Sequence, residues 1–304
     1  MTSAGFIGLA GRPNVGKSTL ANSIVGAKVA IVSDRPQTTR RAVRGVATDQ
    51  AAGWQMILVD LPGVQRPRDV LTERMQRRVE RELSDSDAVI FVVNGEQGVG
   101  PGDRFIAQHL LAARDGAQEE TGGVPVICAV NKIDRLRPPE TAKALADAAE
   151  LGIADEIFPI SAKRGTGLDP LIEHVAGLLP EGPFLYPPEE RSDEPSHVHL
   201  AELIREQVLA RTRDEIPHAV EVALESVEER EDGIVEVKAQ VWAESESQKG
   251  ILIGRGGRMV REIGTAARRE LEGDLGAQVF LDLKVRVRER WRRDAALLDR
   301  LGIE

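Results

Sequence analysis

Gly11-Arg-Pro-Asn-Val-Gly-Lys-Ser18, followed by Thr19, has the spacing G-x-x-x-x-G-K-[ST] of a phosphate-binding loop. Gly11 and Gly16 let the backbone curl so that successive N–H groups point inward at phosphate oxygens. Lys17 supplies a point charge for β- and γ-phosphates, and the Ser18 hydroxyl is a hard oxygen ligand for Mg²⁺. The flanks suit this reading. Phe6-Ile-Gly-Leu-Ala10 reads as a short buried strand, and Lys17–Val25 as a helix with Leu20, Ile24 and Val25 on one face. Strand, loop and helix N-terminus together make an anion site, because the helix dipole adds to the loop amides.

Downstream of the first helix, Gln37-Thr-Thr-Arg40 lies in a polar loop. There Thr38 and Thr39 are close enough to return to the phosphates. A threonine hydroxyl would complete the Mg²⁺ shell, and loss of the γ-phosphate would release the loop, which makes a switch. Ala42–Thr48 and Trp54–Asp60 read as two strands joined by a turn. The second ends in Asp60-Leu-Pro-Gly63, then Val64. Asp60 is placed to hold Mg²⁺ through water, and Gly63 to offer its N–H to the γ-phosphate with no Cβ in the way.

A helix over 70–83, a strand over 87–93 and a helix over 102–113 precede the apolar run Val124–Val130, which ends in Asn131-Lys-Ile-Asp134. This motif discriminates the base. The Asp134 carboxylate can accept from N1–H and the 2-amino group of guanine, whereas adenine would leave it unpaired. Asn131 is expected to reach N7 and tie loops together, and the Lys132 stem to lie over the ring. A further strand, Glu156–Ile160, runs into Ser161-Ala162-Lys163, where a backbone N–H can bond the guanine O6. Alternating strands and helices predict a mostly parallel sheet covered on both faces. All five sites are expected at strand C-termini, where such sheets bind ligands.

The chain has 304 residues, enough for two cores, with a net charge of −9 and no apolar run approaching a membrane span. The single cysteine, Cys128, sits in an apolar strand and reads as a core residue. One cysteine forms no disulfide within the chain, which fits a cytoplasmic protein. Charge is unevenly spread: His197–Gln248 carries 5 basic and 13 acidic residues, Lys249–Arg293 carries 12 basic and 6 acidic. The second stretch is a candidate polyanion site, with a solvated mixed-charge surface as the alternative.

The stretch 181–195, rich in proline and acid, reads as a linker between a domain over 1–180 and one over 196–304. In the second domain a helix over 196–212 is broken at Asp214-Glu-Ile-Pro217. Two alternating strands follow, over 219–225 and 234–242. Ile253-Gly254-Arg255-Gly256-Gly257 then precedes a basic helix, and a last strand covers 278–287. The I-G-x-x-G segment resembles the loop of KH domains, whose glycines let an RNA backbone approach closely. The element order matches the type II arrangement. Ile253, Gly254, Arg255, Gly256, Gly257, Arg258 and Arg261 are the candidate RNA contacts, with Arg286, Arg288, Arg290, Arg292 and Arg293 as further phosphate contacts or a solvated face.

GRPNVGKS, QTTR, DLPG, NKID and SAK, in that order, resemble the translation-factor-like GTPases, and the appended KH-like region is similar to the Era family of ribosome-assembly GTPases. The resemblance implies a P-loop GTPase domain followed by an α+β type II KH domain. It implies binding and hydrolysis of GTP to GDP and phosphate, with Mg²⁺. The nucleotide-binding set is then Gly11, Arg12, Pro13, Asn14, Val15, Gly16, Lys17, Ser18, Thr19, Thr38, Thr39, Asp60, Leu61, Pro62, Gly63, Val64, Asn131, Lys132, Asp134, Ser161, Ala162 and Lys163. Lys17, Thr39 and Gly63 are expected to act on the transferring phosphoryl group, and Ser18, Thr39 and Asp60 to hold the metal. Val64 stands where Ras-like GTPases carry the water-orienting Gln, which implies slow intrinsic hydrolysis, or a water positioned by backbone, another side chain or an ion. Asn14 matches a position that holds K⁺ in related GTPases. The expected partner is the 3′ region of 16S rRNA in the small ribosomal subunit. The expected state is a cytoplasmic monomer, with weak peripheral contact at the inner face of the cell membrane left open. A GTPase timer in tRNA modification and a membrane-docked signalling GTPase stay as alternatives. No C-terminal cysteine or lipidation motif supports them.

Overall fold

The structure, a computed structural model, describes residues 1–33, 35, 38–63, 69–115 and 123–303, without the side chains of 113–115 and 300. The expected contacts of Val64 and the Gln37 end of the switch loop lie outside the described residues. Two compact units emerge. One comprises Met1–Ala30, Thr39–Arg68 and Thr72–Asp193, the other Ile31–Thr38, Asp69–Leu71 and Glu194–Glu304.

The first unit contains β1 (Ser3–Ala10), α1 (Lys17–Val25), β2 (Val43–Asp49), β3 (Trp54–Asp60), most of α2 (Val70–Ser84), β4 (Ala88–Asn94), α3 (Pro101–Asp115), β5 (Val126–Asn131), α4 (Pro138–Ala149), β6 (Glu156–Pro159) and α5 (Leu168–Ala176). The sheet order is β2-β3-β1-β4-β5-β6, and every pairing is parallel except β2 with β3. Its central strands are buried on both faces, as parallel strands under helices must be. In β4, Ala88, Ile90 and Val92 join the core with Leu20 of α1 and Leu171 of α5. Val89, Phe91 and Val93 alternate with them into the core with Val79 of α2, Ile106 of α3 and Ala144 of α4. Cys128 is buried in this second core, and burial pushes its thiol up to about 12.

One expectation changes here. Thr39 stands before β2, not after a strand. Because β2 runs antiparallel to β3, with Val43 opposite Asp60, the start of β2 shares an edge with the C-terminal ends of the parallel strands. The stretch over 181–193 is also more ordered than a linker reading suggests. The Arg191 carbonyl accepts from Val46 N–H at 2.8 Å, and the Gln55 side chain bonds the backbone of Leu185 and Tyr186 at 2.8–2.9 Å. Gln55 is fully buried, so the backbone of this stretch satisfies an amide that would otherwise go unpaired.

In the second unit, α6 (Ser196–Arg211), α7 (Ile216–Ala219), β7 (Glu221–Glu229), β8 (Val235–Ala243), α8 (Glu246–Ile253), α9 (Arg258–Leu275), β9 (Val279–Val287) and α10 (Ala295–Arg300) follow in order. The sheet is β7-β8-β9, antiparallel then parallel. Leu203, Ile204 and Val208 of α6 and Ile263, Ala267 and Leu271 of α9 pack on Val237, Ala239 and Val241 of β8. The strand expected from 219 begins at 221 instead. Pro217 sits in the first turn of a short helix, where its missing N–H costs nothing, rather than merely ending α6.

Candidate nucleotide site and KH loop

The phosphate loop is held open by backbone conformations that side chains disfavour. Gly11 has φ +148°, Asn14 +64° and Gly16 +104°. A Cβ at Gly11 would lie 2.5 Å from the Val92 carbonyl oxygen, and one at Gly16 would lie 2.3 Å from Asn131 Nδ2. Neither position tolerates a side chain on space alone. Lys17 opens α1, and its buried Nζ donates to the carbonyls of Gly11 and Arg12, both at 3.1 Å. Burial lowers its pKa to about 8, with the Asp60 charge pulling the other way.

Three oxygen-bearing side chains converge beside Lys17. Ser18 Oγ donates to Asp60 Oδ2 at 2.6 Å, and Thr39 Oγ1 donates to the same oxygen at 3.2 Å. The two hydroxyls are 3.2 Å apart. Asp60 Oδ1 is buried with no hydrogen-bond partner. Burial pushes the Asp60 carboxyl above its ordinary range, opposed by Lys17 and the two hydroxyls. Two hydroxyls, a carboxylate and an orphaned buried oxygen fit a hard divalent cation with part of its water shell. Leu61 is fully buried in the core, so only its backbone faces this edge, and Pro62 is buried beside it. A Cβ at Gly63 would come 2.7 Å from Pro13 N and Cγ, so close approach to the phosphate loop requires glycine there.

The base-recognition elements are wired to the same loop. Asn131 is 2 % exposed; its Nδ2 donates to the Val15 carbonyl at 2.9 Å. Its Oδ1 accepts from Ala162 N–H at 3.0 Å and Lys132 N–H at 2.7 Å. The residue is therefore a tie between loops, with at most one amide hydrogen left for a base. Ser23 Oγ donates to the Ala162 carbonyl at 2.6 Å, linking α1 to the same tie. Lys132 has φ +68° and donates from Nζ to the Asn14 carbonyl at 2.8 Å. Asp134 Oδ1 accepts from Ser161 Oγ at 2.7 Å, and this bond chiefly holds the Asp134 carboxyl below its ordinary range. Of the three backbone N–H groups expected near guanine O6, Ser161 donates to Thr166 and Ala162 to Asn131. Among the described residues only Lys163 N–H stays available.

Two expected contacts are redirected. The Arg12 guanidinium turns to the fully buried Asp103 of α3, Nε to Oδ2 at 2.8 Å, so only the Arg12 backbone remains for phosphate. Thr38 groups with the second unit, its hydroxyl donating to the Arg35 carbonyl at 2.7 Å, while Thr39 alone joins Ser18 and Asp60. Thr19 lies in the first turn of α1, half-buried. The sequence reading missed Asp103 and also Asn22, whose Oδ1 accepts from Val29 and Ala30 N–H at 3.0 and 2.9 Å. An Asp in the first turn of α3 and an Asn inside α1 were the only signals, and both residue types are common there.

In the second unit the loop Gly254–Gly257 joins α8 to α9 with φ +72° at Gly254, +59° at Gly256 and +78° at Gly257. A Cβ at Gly254 would lie 2.7 Å from Met259 Cβ; at Gly256 it would meet nothing. Arg255 is exposed, and Ile253 half-buried. Arg258 pairs with Glu262 at 2.8 Å. Arg261 folds back on the loop, donating to the carbonyls of Gly257 at 3.1 Å and Gly256 at 2.5 Å. Arg292 is not the free phosphate contact it resembled, since it pairs with Glu244 at 2.9 Å and Asp69 at 3.4 Å. Among the described residues no helix is long and apolar enough to cross a membrane.

A family model described as 50S ribosome-binding GTPase matches residues 6–132, and a KH domain model matches 215–292. The GTPase Era proteins of Mycobacterium tuberculosis and Mycobacterium bovis are each 44 % identical over 302 residues, covering 98 % of this chain and of theirs. The crystal structure of a single-residue variant of Aquifex aeolicus Era bound to GDP·AlF4⁻ superposes with a TM-score of 0.90 at 33 % identity, covering 99 % of both chains. An Era structure in complex with MgGDPNP and nucleotides 1506–1542 of 16S ribosomal RNA superposes at 0.91 and 33 % identity, covering 100 % of this chain and 99 % of that one. With a phosphate loop, a guanine-selective motif and a KH loop in one chain, and identity over nearly its whole length, the chain belongs to the Era family of GTPases.

Proposed function

We propose that the protein is a GTP-driven RNA-binding switch that assists assembly of the small ribosomal subunit by binding the 3′ region of 16S rRNA. The observation that carries the nucleotide half is the convergence of Ser18, Thr39 and Asp60 within 3.2 Å beside the phosphate loop. The assignment divides the chain into a GTPase domain over 1–180, a connecting stretch over 181–195 and a KH domain over 196–304.

In this reading Gly11–Thr19 cradles the phosphates through backbone N–H groups, and Lys17 exchanges its two carbonyl partners for β- and γ-phosphate oxygens. Ser18 and Thr39 supply hydroxyl ligands to Mg²⁺, and Asp60 holds it through water. When bound, the metal neutralises charge developing on the phosphoryl oxygens. Gly63 N–H faces the γ-phosphate across from Pro13. Asp134 reads guanine N1–H and the 2-amino group, Ser161 fixes that carboxylate, and Lys163 N–H meets O6. Val64, at the position where Ras-like GTPases carry the water-orienting Gln, supports slow intrinsic turnover. Asn14, exposed at the tip of the loop, is the residue assigned to K⁺; equal turnover in K⁺ and Na⁺ would remove that assignment. The KH loop takes the RNA backbone at Gly254–Gly257, with Arg255 as the exposed cation beside it. The protein acts in the cytoplasm as a monomer.

The test is a titration of the full chain, loaded with a non-hydrolysable GTP analogue or with GDP. The ligands are the 3′ tail of small-subunit rRNA and a scrambled control, at one salt concentration. Tight, sequence-selective binding in the GTP state alone is expected. Equal binding in both states removes the switch, and no preference over the scramble removes the RNA target.

A further inference from the structure

Where the end of α6 meets the outer face of α9, a cavity of about 380 Å³ is lined by Arg211, Arg261, Glu262, Thr265, Ala266 and Arg269. Three guanidinium groups share it with one carboxylate, and that carboxylate is already paired with Arg258 at 2.8 Å. Arg211 donates through one nitrogen to the carbonyl and side-chain oxygen of Gln207, at 3.1 and 2.9 Å, which leaves the rest of its fork unspent. Arg269 is exposed and, among the described residues, makes no hydrogen bond or ion pair. Some arginines of this unit are neutralised at close range, Arg205 by Glu202 at 2.5 Å and Arg292 by Glu244 at 2.9 Å; those around the cavity have no such carboxylate of their own among the described residues. Like charges gathered around a cavity without such partners repel one another, and an anion relieves the repulsion.

Arg261 links the cavity to the KH loop, since it lines the cavity and donates to the carbonyls of Gly256 and Gly257. Arg261, Thr265 and Arg269 follow at four-residue intervals along α9, so they form one stripe leading away from the loop, about 6 Å per step. A KH loop clamps about four nucleotides of backbone. A longer strand therefore has phosphates that the loop does not hold.

We propose that this cavity is a second phosphate site for RNA, taking a phosphodiester of the same strand whose neighbouring nucleotides lie at Gly254–Gly257. The inference rests on the RNA-binding reading above and extends it to a site outside the KH loop. Guanidinium forks suit a phosphodiester, since each can donate two parallel hydrogen bonds to its oxygens. The site reads no bases; it fixes the direction in which the strand leaves the loop.

The experiment uses the full chain and two single-stranded RNAs. One spans only the nucleotides held at the loop, and the other is the small-subunit 3′ tail extended on both sides. Affinity is measured across a salt series for the unsubstituted protein, R269Q and R211Q. For the long RNA each variant is expected to bind more weakly and to lower the slope of log K against log salt by about 0.7, the value for one phosphate contact to a single strand. The short RNA should bind all three proteins alike. Unchanged binding of the long RNA, or an equal loss on both RNAs, overturns the proposal. So does a loss confined to vesicles containing anionic lipid, which would assign the arginines to headgroups. If the unsubstituted protein binds neither RNA, the RNA-binding reading itself falls and takes this site with it.

Discussion

In the proposed site Asp134 does two things with one carboxylate: Oδ1 is fixed by Ser161 at 2.7 Å, and the group as a whole would present an acceptor pair to the base. Replacing it by Asn leaves one acceptor and one donor where guanine offers two donors. D134N should weaken GTP binding at least about 100-fold, because a donor then faces a donor and both stay unpaired. The same variant should gain affinity for xanthosine triphosphate, whose 2-oxo group accepts. Equilibrium titration with both nucleotides checks this, and an unchanged GTP affinity would remove Asp134 from base recognition. Asn131 acts differently, since its amide is committed to Val15, Lys132 and Ala162. N131A leaves the buried Val15 carbonyl and Ala162 N–H, and the half-buried Lys132 N–H, without this partner, a cost of about 1–3 kcal/mol for each buried group. Chemical denaturation should show that loss even without nucleotide, whereas a residue touching only the base would leave stability alone.

At the level of elements, the α8–loop–α9 unit depends on Gly254. Its φ of +72° is unfavourable for any side chain, and an added Cβ would strike Met259 at 2.7 Å. G254A should therefore shift the start of α9 and reduce RNA affinity by about tenfold or more, a strain of order 1–3 kcal/mol. Affinity for GTP should stay as it was. G256A meets nothing within 4 Å and should be the milder change, which separates conformational strain from collision. The packing of α6 on α9 carries a titratable contact. His199 of α6 stands 3.7 Å from Glu194 and 2.9 Å from Asp274 at the end of α9. Hydrogen bonding to Glu194, then to Asp274, raises its pKa above 6.5 against the opposing effect of burial. A raised folded pKa means that the stabilisation is complete below the unfolded value and fades as pH rises through the folded one. Urea unfolding of H199N and the unsubstituted protein should differ more at about pH 5.5 than at about pH 8.5, by the linkage of proton binding to folding. A difference that is constant with pH would mean that the ring matters for packing only.

For the whole molecule, anything that binds the folded state alone raises its stability by mass action. GTP with Mg²⁺ at about 100 times its Kd should add about 2.7 kcal/mol to the unit that binds it. Scanning calorimetry should show the corresponding transition moving up with GTP and staying put with ATP, if Asp134 reads the base as proposed. A shift of equal size with ATP would contradict the base selectivity. The net charge of −9 also has a consequence at this scale, because general attraction to polyanions is weak, so the proposed RNA binding would have to rest on a local basic surface such as Lys249–Arg293.

Much of this was legible in the chain itself. GRPNVGKS, DLPG and NKID specify their chemistry because backbone freedom, a point charge and a carboxylate at fixed spacing are local properties. The period-two and period-3.6 patterns placed the strands and helices within a few residues for the same reason. What only the tertiary structure decided were partnerships between residues far apart in sequence. Arg12 carries the composition of a phosphate contact, yet its guanidinium pairs with Asp103 in a helix about ninety residues on. Thr38 and Thr39 are identical neighbours, and only packing assigns one hydroxyl to Arg35 and the other to Asp60. The arginines of α9 and the end of α6 read as scattered charge until the fold closes them around one cavity. Local motifs record what a residue can bond. Which of its possible partners comes within hydrogen-bonding reach depends on long-range packing, and sequence spacing does not carry that distance.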